Sequence, residues 1–510
     1  MGLIDTADKA VGWRLAFVVL IAPAAYFAYT VIYNVFFHPL KDFPGPLWSK
    51  VSRIPYALML ARGRSSYEIQ ALHEQYGNIV RVAPSELAFL DPQAWQDIMG
   101  HRKPSELENI KEARYRENLF HSPDIIFSDR DDHRRFRRIL AHGFSAQAMS
   151  DQQPLIMKYI DQLIDQLDTR SSAGDCPLDM TEWYNFTSFD IITDLTFGQP
   201  FDLVATGKYH PWVAAITGAT KAGTVLQCKN FFPLVRWLIT KLTPKMREEQ
   251  DKFMQCAIDR VDERLQSGTK RPDFMQAILD HRGKGGMSPI ETYANSSVLV
   301  FGGSETTSSA LAGATYLCLS HPEVYIKVRN EVRSSFSSDS AIDLHSVAKL
   351  KYMGAMFEEA MRVYPPVPTN IGRRSPPGGN VVCGKFIPED TTMTIWHIPM
   401  FHSEKHFKNP KKFVPERWLG DKEYENDNRA AFQPFHLGPR SCLGRNLAYA
   451  EMRVIIAKLF YNFDMELDAS SKNWIDQEIY TMWVKPPLNV NMKPSAARRQ
   501  ATAQGAVVRT

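Results

Sequence analysis

The segment from Phe435 to Gly444 constrains this chain more than any other feature of its sequence. It reads Phe-His-Leu-Gly-Pro-Arg-Ser-Cys-Leu-Gly, and a pattern typical of a helix follows directly. A single cysteine is ordinarily a buried apolar residue. Here Gly438 and Gly444 allow a tight turn and the close approach of a flat ligand. The first N–H groups of the following helix would also favour negative charge on the sulfur of Cys442. The segment therefore predicts a loop that presents one thiolate as a metal ligand.

The rest of the sequence indicates one large domain. The region 51–495 contains no long linker or low-complexity run. Long amphipathic helical patterns dominate it, with strand-like patterns at 79–82, 86–89 and 381–398. The net charge of +4 does not indicate a nucleic-acid partner, and the six cysteines lack the spacing of a disulfide framework. We predict a mainly α fold with a small β part, in a reducing compartment.

The N-terminus predicts a membrane anchor. After a short tail at 1–14, the segment 15–37 contains no charged side chain. At roughly 1.5 Å per residue it is long enough to cross an apolar bilayer core of about 30 Å as a helix. A cleaved signal peptide is the alternative, but its apolar core would be shorter. A Pro-rich linker at 38–50 would follow, and 496–510 has the composition of a disordered tail.

A long helix is predicted from Ser288 to about Ser320. Ser288-Pro289-Ile290-Glu291 forms a capping box with proline at the first helical position. Two glycines, Gly302 and Gly303, lie in the middle of this helix and cost about 1 kcal/mol each relative to alanine. Close packing against another helix would compensate for them, and so would a functional role.

The pattern Phe-x-x-Gly-x-Arg-x-Cys-x-Gly resembles the haem-binding signature of the cytochrome P-450 superfamily at every specified position. This resemblance implies the cytochrome P-450 fold and a haem b, with Cys442 as the axial ligand of the iron. Phe435, Gly438 and Gly444 would surround the haem. Arg440 would meet a haem propionate through a charge-assisted hydrogen bond.

The resemblance also assigns catalytic roles on the long helix. Thr306 would hydrogen-bond dioxygen, and Glu305 would help to relay protons. A local widening of the helix at the two glycines would make room for oxygen. Threonine suits this place because its hydroxyl both donates and accepts while bonding back to the preceding turn.

A further mark of the family is the sequence Glu359-Ala-Met-Arg362. Alone, such a pair on a helix is usually a surface salt bridge worth less than about 1 kcal/mol. The resemblance makes it the Glu-x-x-Arg motif, with Arg417 of Pro-Glu-Arg-Trp as the third charged partner. These residues would form a structural network that fixes the loop leading to Cys442.

Other basic residues are further candidates for the propionates. His133 and Arg137 stand four residues apart and share one helical face. Arg373 matches a later arginine of the family, although its neighbour Arg374 leaves the choice open. The remaining basic residues nearby would form a solvated face or a docking surface for an acidic electron donor. They are Arg134, Arg135 and Arg138.

The implied activity is insertion of one oxygen atom from O2 into an apolar small molecule, by hydroxylation or epoxidation. Details of the sequence look like filamentous-fungal members that tailor secondary metabolites, so the substrate would be a terpenoid, polyketide or alkaloid. The chain has no flavin or nicotinamide fingerprint, and electrons would come from an NADPH-dependent flavoprotein reductase, with a b-type cytochrome as a further donor. The enzyme would sit in the endoplasmic reticulum membrane, facing the cytosol. Substrate-facing residues implied by the resemblance are Val298, Phe301, Val367, Ile371 and Met482.

Alternative functions share the Cys442 loop. A non-catalytic haem sensor would need neither Glu305 nor Thr306. An enzyme that rearranges an already oxidised substrate would need no external electrons. A protein without haem that carries the motif by accident would bind no carbon monoxide through a thiolate-ligated iron.

Overall fold

The computed structural model describes residues 21–500 except 104–105, 116–119, 121, 175, 282 and 284. Helices dominate the described residues. They are α1 (21–32), α2 (Leu47–Val51), α3 (Ile54–Ala61), α4 (Ser65–Tyr76), α5 (Arg130–Leu140), α6 (Ala146–Ala173), α7 (Met180–Phe197), α8 (Leu203–Thr206), α9 (Pro211–Gln227), α10 (Pro233–Leu242), α11 (Pro244–Gln266), α12 (Phe274–Asp280), α13 (Pro289–Ser320), α14 (Pro322–Ser335), α15 (Lys351–Val363), α16 (His397–Phe401) and α17 (Arg445–Asn462).

The strands are short and form small sheets. They are β1 (Ile79–Ala83), β2 (Glu86–Phe89), β3 (Ile110–Lys111), β4 (Leu178–Asp179), β5 (Arg373–Arg374), β6 (Asn380–Val382), β7 (Lys385–Ile387), β8 (Thr392–Ile395), β9 (Phe463–Leu467), β10 (Ile479–Tyr480), β11 (Met482–Trp483) and β12 (Asn489–Pro494). Within the described residues, the largest sheet has the order β1-β2-β8-β5-β3, and a second has the order β4-β12-β9. The fold is mainly α with a small β part, as predicted.

Helix α13 is the element around which the others pack. It begins with the predicted capping box, in which the Ser288 and Glu291 side chains bond to each other's backbone N–H, and Pro289 occupies the first turn. It contacts α7, α11, α14, α15 and α17. From Ser304 to Cys318 almost every side chain is buried, because neighbours cover the helix on all sides. The predicted helix is confirmed over its full length.

The register of the largest sheet brings two cations together. β5 pairs antiparallel with both β8 and β3, and β2 pairs parallel with β8. In this register Lys111 of β3 lies opposite Arg373 of β5. Directly opposite side chains in antiparallel strands project to the same face. The sheet therefore places two positive charges side by side next to the site described below.

The predicted linker at 38–50 is wrong at its C-terminal end, because 47–51 form α2. The preceding residues are held against β1. Buried Arg81 donates from Nη1 to the carbonyl oxygens of Asn34 at 2.9 Å and Leu40 at 3.3 Å, and its N–H donates to Pro44 O at 2.7 Å. A Cβ at Gly45 would lie 2.3 Å from Arg81 O. This segment is a packed part of the fold.

The predicted anchor at 15–37 lies partly outside the described residues, as the tail at 1–14 does entirely. Residues 21–32 are helical, and a π-helical turn follows at Tyr33–Phe37. Across the described ranges, no helix combines the length and the apolar character needed to cross a membrane.

The predicted disordered tail at 496–510 is wrong for its first residues. Residues 496–500 are helical, whereas 501–510 lie outside the described residues. Arg498 fixes this turn to α6, since it donates to Asp165 Oδ1 at 2.7 Å and to Asp168 Oδ2 at 3.0 Å. Composition alone did not reveal these long-range ion pairs.

Candidate active site

A cavity of about 300 Å³ lies between α13, α17, α5 and the segment 434–444. Its wall is largely apolar. Both Cys442 and Thr306, which the sequence analysis assigned to one site, line it. Cys442 is exposed, and its accessible surface faces this cavity.

The loop that carries Cys442 is closed by its own backbone. The Cys442 N–H donates to Phe435 O at 2.9 Å, and the Ser441 N–H donates to Gly438 O at 3.0 Å. Arg137 of α5 donates from Nη1 to Ser441 O at 2.7 Å. α17 begins at Arg445, as the sequence predicted. These contacts fix the direction in which the sulfur points.

Opposing effects act on the thiol of Cys442. Burial raises its pKa, whereas the Gly444 N–H and the positive charges of Arg137 and Arg445 lower it. A bound cation would add the missing stabilisation of the thiolate, because metal coordination deprotonates a thiol. Burial has the larger effect, so the pKa of Cys442 is raised in the protein alone, and the thiolate form depends on a bound cation.

The two glycines of the loop are required for different structural reasons. Gly438 has φ +78, and a Cβ there would lie 2.1 Å from Met99 O, so both conformation and space require glycine. Gly444 has an ordinary φ of −84, and its Cβ would meet Phe144 Cε1 at 3.6 Å. Gly444 lines the cavity, so a side chain there would take up cavity space, whereas its backbone conformation is open to any residue.

Arg440 lies at one end of the cavity and is already paired. Its Nε donates to Glu108 Oε1 at 2.6 Å, and its Nη1 donates to Ser128 O at 2.9 Å. Burial raises the pKa of Glu108, but the hydrogen bond and charge of Arg440 outweigh burial and hold it below the usual range. Glu108 was not predicted from the sequence, because it and Arg440 are distant along the chain.

Lys111 and Arg373 extend this positive end. Lys111 lines the cavity, and the adjacent Arg373 is 2% exposed. Arg373 Nη1 is buried and has no hydrogen-bond partner among the described residues. Arg374 donates to Asp390 Oδ1 at 3.0 Å on the surface. The geometry thus favours Arg373 over Arg374 as the cofactor arginine, a choice that the sequence left open.

The charges at this end fit the two propionates of a haem. Burial, and then the charges of Arg373 and Arg440, hold the pKa of Lys111 well below its usual range. Burial, and then Arg440, lower the pKa of Arg373 to about 9. Buried cations that repel one another require anionic partners. A haem would bring two carboxylates to these residues and its iron to Cys442.

The predicted pair on α5 also reaches the cavity, since both His133 and Arg137 line it. Burial, and then the charges of Arg440 and Arg137, lower the pKa of His133 to about 4, so its imidazole is neutral at pH 7. Arg135 does not belong to a free basic face. It donates to Glu291 Oε1 at 2.6 Å and thereby ties α5 to the start of α13.

The two glycines of α13 serve different purposes, one allowing close helix packing and the other lining the cavity. A Cβ at Gly303 would lie 2.5 Å from Ile192 Cδ1, so this glycine allows α7 to pack closely. A Cβ at Gly302 would meet nothing within 4 Å, and Gly302 lines the cavity. The expected widening is absent from this described segment, which is α-helical throughout. Instead the Thr306 hydroxyl donates to Gly302 O at 2.7 Å.

Glu305 does not line the cavity. Its carboxylate accepts a hydrogen bond from the ammonium of Lys485, which also donates to Ser309 Oγ at 2.8 Å. Both side chains of the Glu305–Lys485 pair are buried, at 6% and 5% exposure. One residue along a helix turns the side chain by about 100°. The carboxylate therefore points away from the face that carries Thr306.

The same geometry sorts the predicted substrate residues. Val298, Val367 and Ile371 line the cavity. Phe301 is not among the lining residues, because it lies off the helical face that Val298 shares with the cavity-lining residues of α13. Met482 is buried in β11, away from this cavity.

Glu359, Arg362 and Arg417 come together as a fully buried network. Arg362 donates to both carboxylate oxygens of Glu359, at 2.7 and 2.9 Å, and Arg417 Nε lies 3.3 Å from Glu359 Oε2. Arg362 also donates to Pro410 O at 2.6 Å. The two arginines outweigh the effect of burial and hold the pKa of Glu359 below its usual range. The Trp418 indole N–H adds a further bond at 2.9 Å.

The comparisons with known proteins agree with this geometry. The family model described as Cytochrome P450 matches residues 44–494. Averantin hydroxylase of Dothistroma septosporum is 41% identical over 480 residues, covering 91% of this chain and 89% of its own. Trichothecene C-15 hydroxylase of Fusarium sporotrichioides is 40% identical over 475 residues, covering 92% and 96%. The cytochrome P450 monooxygenase efuB of Hormonema carpetanum is 40% identical over 481 residues, covering 92% and 95%. A match of this extent, over a chain whose cavity joins Cys442 to Thr306, means that the protein belongs to the cytochrome P450 family.

Proposed function

We propose that this protein is a haem-thiolate monooxygenase that inserts one oxygen atom from O2 into an apolar small molecule. The observation that carries the proposal is the shared cavity of Cys442 and Thr306 with its apolar wall. Relatives named averantin hydroxylase and trichothecene C-15 hydroxylase support hydroxylation in fungal secondary metabolism. The substrate class is a terpenoid, polyketide or alkaloid, and epoxidation is the other outcome of the same chemistry.

The residues of the chain have distinct tasks in this reaction. A bound haem supplies the activation of O2, and its thiolate ligand promotes O–O cleavage. Cys442 provides that thiolate from a loop fixed by Arg137. Because the Thr306 hydroxyl donates to Gly302 O, its lone pairs remain available to orient a proton-donating water in the cavity. The apolar wall, with Val298 and Val367, holds the substrate and excludes bulk water.

An NADPH-dependent flavoprotein reductase is the proposed source of electrons, with a b-type cytochrome as a further donor. A second cavity, of about 460 Å³, opens beside α5 and has a strongly basic lining. Such a surface suits an acidic protein, because complementary charge steers association. Its arginines include Arg102, Arg130, Arg134 and Arg138.

A single-pass anchor at 15–37 in the endoplasmic reticulum membrane is also proposed. The absence of charged residues from this segment supports it. So do exposed apolar side chains, among them Trp48 of α2 at 69% and Trp237 of α10 at 57% exposure. Large exposed apolar side chains on one protein often mark a membrane or partner contact.

The activity is tested by turnover with candidate precursors under ¹⁸O2, with the chain, a reductase and NADPH. The proposal expects a product that carries one ¹⁸O atom and that forms only with the electron donor. Product formation without NADPH and reductase would favour the rearranging enzyme. Haem binding without any oxygenated product across terpenoid, polyketide and alkaloid precursors would favour the sensor.

The anchor is tested by membrane fractionation of the full chain and of a variant that lacks residues 1–32, which keeps the buried Asn34 and its hydrogen bond from Arg81. The full chain should sediment with microsomal membranes and resist alkaline carbonate extraction. The shortened chain should lose that resistance while retaining its haem spectrum. Equal resistance of both forms would contradict an anchor in this segment.

A further inference from the structure

Glu451 is a buried acid on the wall of the active-site cavity. It belongs to α17, the helix that follows the Cys442 loop, and lines the cavity together with Ala448 and Met452. It is 3% exposed, and the described residues give its carboxyl group no hydrogen-bond or ion-pair partner. A buried carboxyl group normally has such a partner. A carboxyl group that lines a cofactor cavity and lacks such a partner is a candidate for a role in that cavity.

The carboxyl group of Glu451 titrates in an unusual range. Burial alone raises its pKa from its ordinary value to about 8. At neutral pH the group is therefore mostly protonated and uncharged. Glu358, a half-buried acid of α15, differs because it accepts a hydrogen bond from the Tyr449 hydroxyl at 2.7 Å.

We propose that Glu451 is a redox-linked proton site, which in its ionised form takes up a proton when an electron enters the closed cavity. This inference rests on the proposed function, since it requires a haem in the cavity. In the ionised form, the Glu451 carboxylate would take one proton from solvent when one electron is delivered, and the site is then full. In the protonated form, it adds no negative charge to oppose that electron. Only in the ionised form do one electron and one proton enter together, the new O–H bond being the one bond formed; in the protonated form the electron enters alone.

Burial is the sole cause of the shift at Glu451, and no charged group on the surrounding elements contributes to it. Lys458 of α17 pairs with Asp161 and Asp339, and Arg333 of α14 pairs with Asp464. Other titratable groups of the packed elements and the cavity include Arg445, Arg453, Tyr449, Tyr461, Lys349, Glu358, Glu359, Arg362, Arg329, Glu331, Glu305, Cys318, Cys442, Arg137, His133, His397, His436, Arg440 and Lys111.

The test is the midpoint potential of the purified holoenzyme as a function of pH, for the wild type and for Glu451→Gln. Below about pH 8 both potentials should be nearly independent of pH and close to each other, because glutamine mimics the protonated acid. Above the pKa, the wild-type potential should fall with pH. The slope should approach 59 mV per pH unit, because 59 mV corresponds to a tenfold change in the equilibrium constant of a one-electron reaction. Glu451→Gln should stay flat.

Glu358→Gln is the matched control, because it removes a half-buried acid whose hydrogen-bond partner, Tyr449, lies on α17. It should retain the wild-type slope. Equal slopes for wild type and Glu451→Gln would overturn the proposal, whether or not the enzyme oxygenates its substrate. If Glu451→Gln does not fold, infrared spectra of the wild-type holoenzyme replace it. A protonated carboxyl band that titrates with the same midpoint as the potential supports the proposal, and a pH-independent band contradicts it.

Discussion

Replacing Glu359 by glutamine should strongly destabilise the protein. The substitution removes the carboxylate that accepts from both Arg362 and Arg417, all three side chains being 0% exposed. The glutamine NH2 would face arginine donors, and Arg362 would lose its counter-charge. Removing one partner of a buried ion pair costs about 3–5 kcal/mol. Since total stabilities are about 5–15 kcal/mol, this is a large fraction of the whole.

The measurement is urea unfolding of the holoenzyme at pH 7, followed by the haem absorbance and by far-ultraviolet circular dichroism. Glu248→Gln is the control, because Glu248 and Lys252 form an exposed pair, at 67% and 71%. Such pairs contribute less than about 1 kcal/mol. A free energy of unfolding for Glu359→Gln within 1 kcal/mol of the Glu248→Gln value would refute the role assigned to the network.

Three further predictions concern the site and its surroundings. Thr306→Ala should lower the product formed per NADPH consumed by about a hundredfold. This is the lower end of the effect that a positioned proton-transfer group usually has on a rate. Thr306→Ser should restore most of it, and equal yields from both variants would contradict the assignment. Arg373→Met should reduce haem bound per chain, measured by extraction, whereas Arg374→Met should not; equal losses would exclude the preference for Arg373. Burial, and then the charge of Arg362, depress the pKa of His402 from 6.5 to about 4. The unfolded state therefore binds more protons in this window, and stability falls by up to about 3 kcal/mol as pH drops from 6.5 to 4. The free energy of unfolding in urea should be measured between pH 6.5 and pH 4. It should depend less on pH in His402→Gln than in the wild type, and an unchanged dependence would refute the role of His402.

Local chemistry accounts for the parts of the fold that the sequence predicted. The capping box at Ser288 marks the start of α13, because its atoms interact within one helical turn. The segment from Phe435 to Gly444 closes on itself and leads into α17, so its shape is also encoded locally. In both places a few adjacent residues specify the backbone.

Long-range register explains what the sequence did not predict. Lys111 has no local motif, and it reaches the cavity because β3 pairs with β5 at Arg373. Glu108 is identified only by its contact with Arg440. The orientation of Glu305 is a different case. Helical periodicity alone separates its side chain from Thr306, whereas the family resemblance grouped the two by adjacency in sequence.

The carbon monoxide difference spectrum of the reduced holoenzyme tests the central claim most directly. Wild type and Cys442→Ser should be compared, with Cys256→Ser, a half-buried residue of α11, as the control. The account predicts the red-shifted Soret band of a thiolate-ligated haem in the wild type and in Cys256→Ser, and its loss in Cys442→Ser. A thiolate-type band that persists in Cys442→Ser, or that is absent from the haem-loaded wild type, would contradict the assignment of Cys442 as the ligand.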